Sequence, residues 1–139
     1  MAFLVSLSIK VFAVKTSSAK AKGRALQNLV RDKLLSLFPE LEPDDAKSCS
    51  MGNNGEDVQL SPAARRLAPI SIECKNRAAM AVYKDFKQAV SNAKALNPVL
   101  VIKQNRDTPL VVINLEYFLT LLKNSAILSK WQKDENVTR

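Results

Sequence analysis

The stretch Pro98–Gln104, PVLVIKQ, constrains the fold most. Val99, Leu100, Val101 and Ile102 are apolar in succession, so a strand built from them buries both of its faces. A strand covered on both sides needs a layer above and a layer below. Amphipathic segments that can supply them flank it. GRALQNLVRDKLLSLFP places Leu26, Leu29, Val30, Leu34, Leu37 and Phe38 at helical spacing before Pro39 stops it. MAVYKDFKQAVSNAKAL puts Ala81, Val82, Phe86, Ala89, Val90 and Ala93 on one helical face. EYFLTLLKNSAIL reads as a closing helix.

Shorter runs alternate instead. Asp57–Leu60, Pro69–Lys75 and TPLVVINL at Thr108–Leu115 read as strands, with LSPAARRLAP as a loop between the first two. The predicted order is α-β-β-α-β-β-α, with a further strand in the first fifteen residues or in KSCSMG. The expected class is α/β, a mixed β-sheet flanked by helices. A chain of 139 residues suits one main domain, expected at residues 22–124 between an N-terminal basic arm or extra strand (1–21) and a C-terminal tail (125–139). The opening MAFLVSLSIKVFAVK is like a signal-peptide core, but no basic residue precedes it and Lys10 interrupts it. No apolar run is long enough to span a bilayer, so no membrane partner is expected.

Charge and composition narrow the chemistry. Lys and Arg number 21 against 13 Asp and Glu, a net +8 that favours a polyanionic partner. The basic residues Lys10, Lys15, Lys20, Lys22, Arg24, Arg31 and Lys33 crowd the first quarter, opposed there only by Asp32. Histidine is absent, which excludes Ser-His-Asp and Cys-His nucleophiles, a histidine base and Cys/His zinc sites. Two cysteines, Cys49 and Cys74, are too few for a disulfide framework and fit a reducing compartment. Catalysis by this chain must rest on carboxylates, lysine and a divalent ion.

PISIECKN supplies such a set. Alternation turns Ile70, Ile72 and Cys74 to one side of the strand, and Ser71, Glu73 and Lys75 to the other. On the preceding strand Val58 and Leu60 oppose Asp57 and Gln59. If the two strands are neighbours, Asp57, Glu73 and Lys75 converge. Paired carboxylates repel unless a cation lies between them, so the cluster suits magnesium, with manganese able to substitute. The main-chain carbonyl of Cys74 could add an oxygen, and Lys75 could orient or deprotonate a water beside the ion. A solvated strand face with incidental charges is the plainer alternative for E-x-K alone.

GEDV…SIECK resembles the PD-(D/E)xK nuclease motif, in which an Asp on one strand precedes (Asp/Glu)-x-Lys on the next. The wider pattern is similar to archaeal-type and phage-encoded Holliday junction resolvases. These begin with Lys-Gly and a helix, here KGRALQNLVRDKLL, and continue to an apolar strand like NPVLVIKQNR. The resemblance spans Lys22 to about Leu115 and implies a restriction-endonuclease-like sheet. It makes Asp57 and Glu73 the metal ligands and Lys75 the water-activating base or an electrostatic stabiliser. The family's first-helix glutamate is Gln27 here, which carries no charge and puts a second metal in doubt, although Glu56 could compensate. Gln88 is a further candidate to position phosphate or water.

Lys22 and Arg24 at the first helix, Arg65 and Arg66 in the loop, Lys84, Lys103 and Arg106 are candidate phosphate contacts. The resemblance implies a magnesium-dependent endodeoxyribonuclease, a homodimer acting on four-way DNA junctions in the cytoplasm of a bacterial or phage-infected cell. Tyr117, Phe118, Leu121 and Leu122 are the expected dimer surface. A general or end-processing DNase, or a catalytically weak DNA-binding relative, are the alternatives.

Overall fold

The computed structural model describes residues 2–49 and 55–137, with side chains from Ser18 to Cys49 and from Gly55 to Glu135. The elements run α1 (Ala2–Leu37), a 3-10 turn (Pro43–Asp45), β1 (Ala46–Ser48), β2 (Val58–Leu60) and α2 (Pro62–Leu67). They continue with β3 (Ile70–Asn76), α3 (Val82–Ala93), β4 (Asn97–Lys103), β5 (Leu110–Val112) and α4 (Leu115–Val137). Five strands form one mixed sheet in the order β1-β2-β3-β4-β5, flanked by helices, which is the α/β class expected from the sequence.

Only β3 and β4 are parallel, and α3 makes the crossover between them. The other neighbours are antiparallel. In the parallel pair Ile72 is registered with Val99, Glu73 with Leu100 and Cys74 with Val101, so each pair shares a face. One face carries Val58, Leu60, Ile72, Cys74, Val99 and Val101, buried with Leu26 of α1 and Ala64 of α2. Val30 and Leu34 of α1, and Ile113 and Tyr117 at the start of α4, pack against that cluster. The opposite face carries Glu73 and Leu100 and is covered by α3, whose Asp85, Ala89 and Ala93 are buried. Val99, Leu100 and Val101 are all buried, as the unbroken apolar run requires.

Short polar links fix the edges. Ser61 caps α2 by accepting from the Ala64 N–H at 3.1 Å. Its hydroxyl donates to Asp45 at 2.5 Å, and the Glu42 N–H donates to the other Asp45 oxygen at 2.7 Å. These bonds, the Ser61 hydroxyl first, hold the Asp45 carboxyl below the usual carboxylate range.

Four expectations change. Residues 2–21 are not an extra strand: α1 is helical from Ala2 and runs into the expected first helix without a break. The further strand expected in KSCSMG exists in part, as β1. LSPAARRLAP is not all loop, because Ser61 and Pro62 give α2 an N-cap and first turn. The tail at 125–139 continues α4 to Val137 rather than leaving it. Among the described residues no helix is long and apolar enough to cross a membrane.

Both faces of the sheet therefore contribute to stability. Leu100→Ala, at a side chain with no exposure, should cost about 3 kcal/mol, read as a lowered urea midpoint with unchanged slope. Tyr83→Ala, at a largely exposed position on α3, should stay within about 0.5 kcal/mol of the parent.

Candidate metal and nuclease site

The site forms where β2 meets β3. Val58 is registered with Ile72, yet the Asp57 N–H also reaches the Ile72 carbonyl, at 2.8 Å. Two successive residues thus oppose one residue of β3, the arrangement of a β-bulge, which re-aims the side chain at the extra position. The Asp57 carboxylate turns along β3 and accepts from the Cys74 N–H at 2.7 Å. In a strand the N–H and C=O of one residue point to the same side. The Cys74 carbonyl therefore faces the side from which Asp57 approaches.

Glu73 is 3% exposed beneath α3. Its Oε1 accepts the Lys75 ammonium at 3.1 Å, and its Oε2 accepts the Asn92 amide at 3.1 Å. The same amide donates to the Gly55 carbonyl at 3.2 Å, which ties α3 to the segment entering β2. Burial raises the Asp57 carboxyl above the usual carboxylate range; the Cys74 N–H opposes this, the Glu73 charge adds to it and Lys75 opposes it. Glu73 and Lys75 thus lie close enough to Asp57 for their charges to act on it. Glu73 and Lys75 are in contact, as the strand pattern predicts, and Asp57 bonds to the main chain of Cys74 between them, through a bulge that alternation does not show.

The remaining sequence candidates divide. Gln27 is buried on α1, next to the core residue Leu26. Gln88 is exposed on α3. The α3 residue that reaches Glu73 is Asn92, one turn later. The predicted face of α3 is rotated: Val90 is exposed and Asp85 is buried. A readable signal existed, since Asp85 and Asn92 lie seven residues apart on the stripe marked by Ala89 and Ala93. Glu56 has its Oε1 ion-paired with Arg65, and its Oε2 is buried without a hydrogen-bond partner.

Arg65 is also not a free phosphate contact, as its Nε donates to the Leu60 carbonyl at 3.0 Å. Lys103 lies at the end of β4, its ammonium 3.2 Å from the Gln104 carbonyl. Arg24, Arg66, Lys84 and Arg106 are exposed. Lys22 donates to the Asn105 side chain at 2.8 Å.

The donors present suit a hard cation. Asp57 and Glu73 offer carboxylate oxygens, each with lone pairs left after the bonds described, and the Cys74 carbonyl faces the same side. The Cys74 thiol is excluded as a ligand, because it lies in the core on the other face and burial pushes it far up. Among the described residues no cluster of three or more Asp, Glu, Cys or His side chains is placed to hold an ion. Two carboxylates and a main-chain oxygen leave most of a shell to water and substrate phosphate, which fits magnesium better than a caged metal.

No family model, curated protein or solved structure matches the chain.

The raised Asp57 sets a pH test. In the folded state this carboxyl binds its proton more tightly than in the unfolded chain, so its ionisation lowers stability as pH rises through the folded value. Asp57→Asn should raise the Tm by a few degrees at neutral pH, an advantage that shrinks as pH falls to the unfolded carboxyl range. Scanning calorimetry of both proteins between acid and neutral pH reads the difference. Asn92→Leu should cost about 2 kcal/mol, since it strips a nearly buried carboxylate oxygen of its donor.

Proposed function

We propose that the chain is a magnesium-dependent endodeoxyribonuclease that hydrolyses phosphodiester bonds, with four-way DNA junctions as its preferred substrate. The convergence of Asp57, Glu73 and Lys75 at the β2 bulge carries this reading. A purely structural ion pair would need one carboxylate. A second, half-buried carboxylate facing the same lysine raises its own ionisation cost, and a bound cation removes that cost.

Asp57, Glu73 and the Cys74 carbonyl would hold the ion. When bound, magnesium neutralises charge on the phosphate and acidifies water beside it. Lys75, held by Glu73 at 3.1 Å, would orient the attacking water and stabilise negative charge developing on the phosphate. Asn92 fixes Glu73 from α3, so the carboxylate is placed before substrate arrives. The net charge of +8 draws the polyanion in. Cys49 and Cys74 are free thiols, which suits work in a reducing cytoplasm, that of a bacterial or phage-infected cell.

Junction cleavage calls for two sites related by a two-fold axis, hence a homodimer. Its surface would be α4, a helix about 34 Å long by its 23 residues. Phe118, Leu119, Leu122, Ile127, Leu128 and Trp131 on it are exposed, and Leu110 and Val111 expose apolar surface on the edge strand. Tyr117 is committed to the core instead.

Incubation with magnesium on a four-way junction, a linear duplex and a single strand tests the reading. Junction cutting that Glu73→Ala lowers by at least about a thousandfold supports it. Equal cutting of all three points to a general nuclease, and binding without cutting to a DNA-binding relative. Sedimentation should give a dimer mass at micromolar concentration; a monomer that cuts junctions in both strands sinks the dimer.

A further inference from the structure

At the carboxyl ends of the parallel strands β3 and β4 lies a cavity of about 360 Å³, lined by Ser18, Ala19, Lys22, Asn76, Arg77, Ala78 and Asn105. Ligands of α/β sheets bind outside such strand ends. Two of the lining residues are cations and none is acidic. The first acidic residue of the chain is Asp32, so the rest of α1 before it brings no negative charge here.

Both cations are held in place. The Arg77 guanidinium is anchored 3.3 Å from Asp85, a carboxylate almost wholly buried on α3, and its own side chain is half exposed. The Arg77 main chain is fixed too, by its N–H donating to the Lys103 carbonyl at 3.1 Å. Lys22 is steered by Asn105, and its main-chain carbonyl accepts from the Asn76 amide at 3.1 Å. The Asn76 Oδ1 is buried without a donor, which leaves an acceptor for a water carried in with a ligand. A guanidinium held at one edge by a buried carboxylate keeps its remaining donors for the oxygens of an anion such as a phosphate.

We infer that this cleft binds a phosphodiester group of the DNA strand, through Arg77 and Lys22. It rests on the nuclease reading for its choice of DNA, and places a second phosphate beside the one to be cut. Arg77 follows Lys75 by two residues, just past the end of β3 and about 7 Å along the main chain, so a strand whose phosphate lies at Lys75 passes the mouth of the cleft. Asp85 is a positioning residue that acts through Arg77.

The test is binding of a short DNA duplex in EDTA across a potassium chloride series. Lys22→Ala and Arg77→Gln should each make the slope of log K against log salt shallower by about 0.9, the change expected when one phosphate is no longer neutralised. Lys130→Ala, far along α4, should leave the slope unchanged. Arg77→Gln leaves Asp85 unpaired and is checked by its melting curve, and Lys22→Ala carries the test if that variant unfolds. Unchanged slopes in both variants overturn the proposal. So does a phosphate-induced rise in Tm that the variants abolish while the DNA slope stays, which assigns the cleft to free phosphate. The readout needs no cleavage: shallower slopes in a protein that never cuts support this inference and sink the nuclease reading. Cutting with unchanged slopes does the reverse.

Discussion

The burial of Glu73 is the constraint on which the rest of the site depends. A carboxylate under a helix loses its hydration, and that cost is several kcal/mol unless partners replace the water. Lys75 supplies the charge and Asn92 the second hydrogen bond. Both partners require particular geometry. Lys75 must lie two residues along the same strand, on the same face. Asn92 must face inward from α3, which needs alanines at Ala89 and Ala93 to let the helix approach closely. The same face of β3 that could have been ordinary apolar core is thereby given to charged and polar side chains, while Ile72 and Cys74 on the reverse face carry the packing against α1.

Charge is arranged in two tiers around that strand. Near its middle lie two carboxylates and one lysine, a net negative spot in a basic protein. At its end lie Arg77 and Lys22, with Asp85 hidden behind Arg77. An attracted polyanion would meet positive charge first and the negative pocket last. Ions of opposite sign are thus sorted over a few residues of one strand, which steering by net charge alone cannot do.

Much of this was legible in the sequence, and the failures have physical causes. The unbroken run at Val99–Ile102 foretold a doubly covered strand, and alternation in ISIECK placed Glu73 and Lys75 together. The position of Asp57 was right for an incomplete reason, since a bulge depends on pairing with β3 and leaves no mark in local periodicity. The α3 residue that reaches Glu73, Asn92, went unnamed because hydrophobicity alone oriented the helix. Packing against Glu73 and Arg77 turned polar Asp85 and Asn92 inward, a tertiary demand that outweighs residue preference. Arg77 was passed over because nothing local distinguishes it from other surface arginines; its anchor lies eight residues away on another element. Residues 2–21 read as strand or arm, whereas they are helical and run on into the part of α1 that packs against the sheet.

Lys75 resting on Glu73 has a consequence for assembly. The lysine is an internal counter-ion, so Glu73 does not need a divalent cation to offset its buried charge. Proteins whose acidic clusters have no such companion fold only as the ion arrives and are lost to chelators. Here the Glu73–Lys75 pair is complete within the chain, so this part of β3 keeps its shape whatever the concentration of divalent ions around it.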